Sequence, residues 1–163
     1  MPLVKKHVEQ TVEDFPSLSS FEDAKNFFYN SEECDKKDYA LEEIAKFEEG
    51  GAFLVDYINN DEADKNISTK VASIISNMDP DDAPIEEVMD LLKLDNAYIR
   101  NLGISILRDF GTAIKYYIVK FLIGDDRDLR IFAINVLGDV NFPESRDMLV
   151  ELFRLEVPEI AEE

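Results

Sequence analysis

Apolar residues along this chain recur three or four positions apart, the spacing of an amphipathic helix, and one such pattern returns at a fixed interval. Residues 95–110 align with residues 125–140 at an offset of 30, and the aligned pairs include Arg100 with Arg130 and Leu107 with Leu137. A weaker copy lies upstream at an offset of 32. The sequence therefore predicts three equivalent helices, called B helices below, over residues 67–78, 99–110 and 129–140.

An A helix is predicted before each B helix, and a fourth A helix follows the last one. The four span residues 52–59, 84–94, 112–123 and 143–155. Turn-forming residues at 79–84 and the glycines Gly111 and Gly124 separate the helices. Because every connection is short, consecutive helices are expected to pack antiparallel, and residues 51–155 then form about three and a half helical hairpins.

The repeated residues follow the pattern Leu-x-x-Asp-Asn/Asp-x-x-Ile/Leu-Arg-x-x-Gly/Ala-x-x-Ile/Val-Leu at 92–107 and at 122–137. This pattern resembles HEAT-like repeats, and among them the short subtype of phycobilin lyase subunits. The resemblance covers residues 52–155 and implies an all-α fold, an α-solenoid of HEAT-like helical hairpins. Since the family is defined by its stacking residues, the resemblance says almost nothing about function.

The first 50 residues depart from the repeat. Ser19 and Glu22, three positions apart, predict a capping box at the start of one helix, and a second helix is predicted over residues 35–49, where Gly50-Gly51 ends it. A solenoid needs an atypical end that covers the apolar face of its first repeat. We therefore interpret residues 19–50 as an N-terminal cap of two helices.

The two ends of the chain are expected to be tails, a flexible one over residues 1–18 and an acidic one over 156–163. The last A helix, residues 143–155, has no B helix after it, so part of its apolar surface lacks the usual cover. Three alternatives remain open. The acidic tail folds back through Val157 and Ile160, the helix forms a homo-oligomer or docking surface, or the natural chain is longer.

The solvent-facing side of the B helices is expected to carry small and mostly uncharged residues. The sequence therefore predicts that the groove along these helices is nearly neutral. Such a surface suits an inserted peptide or helix from another protein, and the alternative is a groove that only water fills. The candidate partner-binding residues in the groove are Ser73, Asn101, Ser105, Arg108, Ile131 and Asn135.

A second candidate surface lies on the third A helix, where Tyr116 and Tyr117 replace the charged residues of the flanking repeats. Tyrosine is frequent at binding hot spots because it joins a large apolar ring to a hydrogen-bonding tip. The alternative is that neighbouring A helices or the N-terminal tail cover both rings.

Charged residues that recur with the repeat are assigned a structural role. Asp95 with Arg100 and Asp125 with Arg130 resemble the Asp/Arg ladder that joins adjacent HEAT repeats, and the resemblance implies ion pairing. The acidic runs at 79–82 and 125–128 lack the spacing of a calcium loop, and we interpret them as helix N-caps.

Composition restricts the function. The chain has 36 acidic and 17 basic residues and a net charge of −19, which repels nucleic acid and anionic membranes and favours a basic partner. Cys34 is the only cysteine and His7 the only histidine, which excludes an internal disulfide, a Cys/His zinc site and any catalytic set that needs histidine from the repeats. No apolar segment reaches the ~18 residues of a membrane span, so a cytoplasmic location is expected.

We therefore expect a non-enzymatic protein-interaction module or scaffold, without a catalytic residue, metal or cofactor. Two alternative functions belong to different classes. One, implied only by the resemblance to phycobilin lyase subunits, is an auxiliary subunit or chaperone for a cofactor-bearing protein. The other is a DNA mimic, whose acidic surface occupies a basic nucleic-acid-binding protein.

Overall fold

The computed structural model of the protein describes residues 15–140 and 144–156. Within these ranges the chain forms nine α-helices, two short 3-10 segments and no strand, which confirms the predicted all-α class. A 3-10 turn over Leu91–Lys93 extends the fifth helix, and another over Gly111–Ile114 precedes the seventh. The helices are α1 (Phe21–Asn30), α2 (Cys34–Ile44), α3 (Gly50–Asn59), α4 (Lys65–Ser76), α5 (Ile85–Asp90), α6 (Ala97–Asp109), α7 (Lys115–Leu122), α8 (Arg127–Val140) and α9 (Ser145–Glu156).

The helices pack in consecutive pairs, and alternate helices pack in two rows. The pairs α1 with α2, α3 with α4, α5 with α6 and α7 with α8 are in contact. Helices α2, α4, α6 and α8 also contact one another in that order, and we call them the B row. Helices α3, α5 and α7 do the same and form the A row.

The core lies between the two rows, and the apolar residues with helical spacing fill it. On α6, Ile99, Ile106 and Leu107 are buried as their spacing predicted. Gly103 lies on the same face, and a Cβ atom added there would lie 3.1 Å from a Leu92 methyl carbon and 3.2 Å from Leu91 Cβ. The missing side chain therefore lets α6 approach the end of the preceding A-row helix, and the next repeat has the small, fully buried Ala133 at this position.

Three B-row helices begin at a side-chain cap of the same kind. Asp64, Asn96 and Asp126 each accept hydrogen bonds from two backbone N–H groups in the first turn of α4, α6 and α8. The N-cap interpretation of the run 125–128 is thus confirmed. The run 79–82 differs, because the Asp79 carboxylate accepts from the backbone N–H of Asp81 within the turn, and Pro84 precedes α5 without a side-chain cap.

Three predictions about residues 19–51 are wrong. Ser20, not Ser19, caps α1 by accepting from the backbone N–H of Asp23 at 3.1 Å, and Glu22 forms an ion pair with Lys25 instead of closing a capping box. The second helix ends at Ile44, five residues earlier than predicted.

Gly50 and Gly51 begin α3 instead of ending the helix before it. A Cβ atom on Gly50 would lie 2.0 Å from the carbonyl oxygen of Ile44, so the chain turns there too tightly for any side chain. Glycine is needed at this position for close approach of backbone to backbone, which a helix stop signal does not require.

Part of the predicted N-terminal tail lies against α2. The Phe15 ring stacks on Tyr39 with ring centroids 4.7 Å apart, and the Tyr39 hydroxyl donates to the Pro16 carbonyl at 2.8 Å. Leu18 packs against the core. The remainder of that tail, residues 1–14, lies outside the described residues, as do Val157 and Ile160 of the acidic tail.

Candidate functional site

The B row carries a groove made of two adjoining cavities. The larger, about 550 Å³, lies between α4 and α6, and the smaller, about 400 Å³, lies between α2 and α4. Ser73 and Asn77 line both cavities, so the two join across α4 into one depression, which we call the groove. The predicted residues Ser73 and Ser105 both line the larger cavity, whose full lining is Thr69, Ala72, Ser73, Ser76, Asn77, Leu102, Ser105, Ile106 and Asp109.

The other predicted groove residues lie on the B row but do not line these cavities. Asn101 and Arg108 are exposed on α6, and Ile131 and Asn135 are exposed on α8. They extend the same surface beyond the groove. The sequence did not predict the contribution of α2 and its C-cap, whose Glu42 and Ala45 line the smaller cavity, because that helix was assigned only a capping role.

Charges along the B row are largely neutralised by ion pairs between successive helices. Lys70 of α4 binds Glu42 of α2 at 2.9 Å, and this hydrogen bond is the main reason that the pKa of Lys70 is raised. Arg108 of α6 lies 3.3 Å from Asp139 of α8. The larger cavity of the groove is lined by hydroxyl, amide and apolar groups and by Asp109. The smaller cavity adds Glu42, Lys46 and Lys70, so the formal charges that line the groove, two positive and two negative, sum to zero.

The Asp/Arg ladder takes a different form from the predicted one. Arg100 and Arg130 each donate from Nη1 to the backbone carbonyl six residues earlier, Leu94 and Gly124, at 2.6 Å in both repeats. Arg100 also lies over the Phe132 ring of the next repeat, 5.4 Å from its centroid. These arginines hold the end of the preceding A-row helix, because the last carbonyls of a helix lack partners within the helix.

The acidic partners assigned to that ladder are exposed. Asp95 and Asp125 each follow an A-row helix, and among the described residues neither forms an ion pair with another side chain. Ion pairs between neighbouring helices of a row are made instead by residues such as Lys120, which contacts Glu86 at 2.7 Å.

The two candidate tyrosines differ in environment. Tyr116 is 80% exposed, and Val119 and Ile123 are exposed on the same side of α7, at positions i, i+3 and i+7. We call these three residues the α7 stripe. Tyr117 is half-buried and lines a cleft between α5 and α7 of about 290 Å³. The described neighbours thus leave the Tyr116 ring uncovered.

The cleft, called the A-row cleft below, was not predicted. Its apolar floor comes from Met89, Phe121 and Leu129, and its rim carries charges of both signs. The tyrosine was visible in the sequence, but the packing of α5 against α7, which creates the space beside it, was not. The complete lining is Glu86, Met89, Asp90, Lys93, Tyr117, Lys120, Phe121, Gly124, Asp125, Asp126 and Leu129.

A third surface lies between α8 and α9. Leu137, Leu149, Val150 and Phe153 line a cavity of about 420 Å³, and Phe153 is 52% exposed. This is the apolar surface for which the sequence left three alternatives open. Residues 157–163 of the predicted acidic tail lie outside the described residues.

Two kinds of feature are absent from the described residues. No group of three or more His, Cys, Asp or Glu side chains there is arranged to hold a metal ion. Nor does any helix in that part of the chain have the length and apolar character needed to cross a membrane.

Comparison of the chain with protein-family models and with curated proteins finds no match. The resemblance to HEAT-like repeats therefore stays a prediction that depends on the repeated residues. The groove and the A-row cleft are the two surfaces on which the proposals below depend.

Proposed function

We propose that the protein is an α-solenoid of HEAT-like hairpins, with α1 and α2 as its N-terminal cap, and that it is a non-enzymatic module that binds a segment of another protein in the groove. The fold proposal is supported by the two rows, since contacts between helices one hairpin apart are what stacking of repeats produces. The offset of 30 in sequence supports it independently.

The observation that carries the functional proposal is the continuity of the groove across α4, where Ser73 and Asn77 line both cavities. Packed helices lie about 8–10 Å apart, so a groove across three of them is roughly 16–20 Å long. An extended chain of about six residues covers that length. The groove therefore suits a short peptide segment better than a compact small molecule.

The chemistry of the groove favours a neutral segment. Its hydroxyl and amide groups offer both donors and acceptors, and its two cations, Lys46 and Lys70, are paired with Glu43 and Glu42. The net charge of −19 disfavours nucleic acid, because a polyanion would meet repulsion without a cationic surface to release counterions. Affinity should change little with salt, since screening weakens only interactions between charges.

The test is selection from a library of displayed random peptides of about twelve residues, with wild type and with the double variant Ser73→Tyr, Ser105→Tyr as baits. The two rings would fill the space between α4 and α6. Peptides selected on wild type should bind the double variant at least about tenfold more weakly, a loss of about 1.4 kcal/mol.

The matched control is Thr112→Tyr, which adds the same ring at an exposed position on the chain segment before α7. Its peptide affinities should equal those of wild type, and circular dichroism should show equal helicity for all three proteins. If the selected peptides bind the double variant as tightly as wild type, the groove is not the binding site. A steep loss of affinity with salt would favour the DNA-mimic alternative instead.

A further inference from the structure

The A-row cleft and the α7 stripe are adjacent parts of one surface. Tyr117, Lys120 and Phe121 of α7 line the cleft at positions i, i+3 and i+4, and the stripe occupies the neighbouring side of the same helix. A hollow with an apolar floor is thus continuous with a row of exposed apolar side chains. Single exposed apolar residues are ordinary, whereas a contiguous apolar patch marks an interaction surface.

The size of the cleft limits what it can hold. Its volume of about 290 Å³ lies at the lower end of the range for small-molecule pockets, about 300–1,000 Å³, and provides room for one or two bulky side chains. A ligand confined to the cleft would leave the exposed rings and branches of the stripe uncovered. A protein segment that inserts one side chain and lies along α7 would cover both.

The rim of the cleft has an excess of negative charge. Its two cations are neutralised locally, Lys120 by Glu86 and Lys93 by Asp90. Asp125 is exposed and has no ion pair with any described side chain, and Asp126 adds a second carboxylate beside it. The charges left over at the rim are therefore anionic, and they have the same sign as the net charge of the chain.

We propose that the A-row cleft is a docking site for a basic segment of another protein, which inserts a bulky apolar side chain between α5 and α7 and places a Lys or Arg next to Asp125. The apolar floor supplies most of the affinity, and the carboxylates at the rim select the cationic neighbour. The site lies on the A row, so this proposal does not require the groove to bind a ligand.

The experiment is a titration of the isotope-labelled full chain, followed by amide NMR, with three synthetic hexapeptides. The probe is acetyl-Ala-Lys-Leu-Phe-Lys-Ala-amide. One control replaces both Lys by Glu, and the other replaces Leu and Phe by Ala. The probe should shift amides of α5, α7 and residues 124–126, and both controls should bind at least about fivefold more weakly.

Matched variants separate this site from the general acidity of the protein. Asp125→Lys should weaken binding of the probe about tenfold, because it reverses the charge at the rim. Asp95→Lys makes the same change at the equivalent position of the preceding repeat, outside the cleft, and should stay within about twofold of wild type. Equal losses in the two variants would overturn the proposal, since they would mean that net charge alone attracts the probe.

The apolar part of the site has its own pair of variants. Tyr116→Ser removes a ring that is 80% exposed on the stripe, and Tyr29→Ser removes one that is 65% exposed on α1. Only Tyr116→Ser should lower the affinity for the probe, by about threefold or more. Equal affinity of the two variants and wild type would remove the stripe from the site.

Shifts confined to the groove would refute the proposal. Conversely, the variant Ser73→Tyr, Ser105→Tyr should bind the probe as tightly as wild type does. The experiments therefore distinguish a wrong proposal for the groove from a wrong proposal for the cleft.

Discussion

Arg108 on α6 and Asp139 on α8 form an ion pair at 3.3 Å, 31 positions apart in the chain. The separation is close to one repeat, so the pair joins equivalent parts of two successive hairpins. Both side chains are about half exposed, 46% and 51%. The contact therefore neutralises the surface of the B row more than it holds the helices together, since exposed ion pairs contribute little to stability.

The weak contribution of this pair can be measured. A double-mutant cycle with Arg108→Ala and Asp139→Ala should give a coupling free energy of about 0.2–1 kcal/mol in urea unfolding, and this coupling should fall as salt is raised. The cycle removes any effect of either residue alone. A coupling above about 2 kcal/mol that is insensitive to salt would show that the pair is buried in solution and holds α6 on α8.

The two glycines Gly50 and Gly138 should respond in opposite ways to the same substitution. Gly50→Ala should lower the free energy of unfolding by about 3 kcal/mol, the upper end of the range for overpacking, because the new Cβ atom would meet the backbone oxygen of Ile44. Gly138→Ala, in the last turn of α8, meets no atom within 4 Å and should raise stability by up to about 0.5 kcal/mol, less than in a helix interior. Urea unfolding of both variants tests this, and similar effects of the two would contradict the tight turn at Gly50.

The role of a glycine could be predicted from the sequence at Gly111 but not at Gly50-Gly51. Gly50-Gly51 was interpreted as a helix end because glycine commonly follows the last helical turn. The same residue type also permits close backbone approach, and only the packing of α3 on the segment after α2 distinguishes the two uses. Gly111, by contrast, has φ of 56°, and it was assigned correctly as a helix end because the apolar pattern stops just before it.

Positions set by the repeat were predicted most accurately. The inward face of α6 follows from periodicity alone, because an amphipathic helix must bury its apolar side wherever it lies. Ser19 and Ser20 are both suitable as the cap of α1, so the local sequence does not decide between them. Which serine caps the helix depends on how α1 packs. The A-row cleft depends on the distance and angle between α5 and α7, which no local pattern encodes.

Asp126, which caps α8, should contribute more to the free energy of unfolding than the neighbouring Asp125. Asp126 accepts from the backbone N–H groups of Asp128 and Leu129 at 2.9 and 3.1 Å, whereas Asp125 is exposed and caps nothing. Asp126→Ala should therefore lower the free energy of unfolding by about 1 kcal/mol, and Asp125→Ala should change it by less than about 0.5 kcal/mol. Thermal and urea unfolding of the two variants provide the comparison. Equal losses would mean that the negative charge near the helix start, and not the cap, stabilises α8.

The pair formed by Lys115 and Glu144 gives a prediction about pH. The Lys115 ammonium donates to Glu144 at 2.7 Å, and this hydrogen bond is the main reason that the pKa of Glu144 is lowered and that the pKa of Lys115 is raised. Both shifts favour the charged forms. The carboxylate side of the pair contributes stability above the ordinary pKa of Glu, and this contribution is lost as pH falls through the lowered value. The ammonium side contributes below the ordinary pKa of Lys and is lost as pH rises through the raised value.

An NMR titration of the Glu144 carboxyl group tests the pair directly, because it follows one group instead of the whole protein. In wild type the midpoint should lie below the ordinary pKa of Glu, about 4.3, and in Lys115→Met it should move up toward that value. Lys115→Arg is the matched control, since it keeps the positive charge and a donor and should keep the midpoint low. If Lys115→Met leaves the midpoint unchanged, the contact between the segment before α9 and the start of α7 does not form in solution. The shift should also shrink at high salt, because neither group is shielded from solvent by burial.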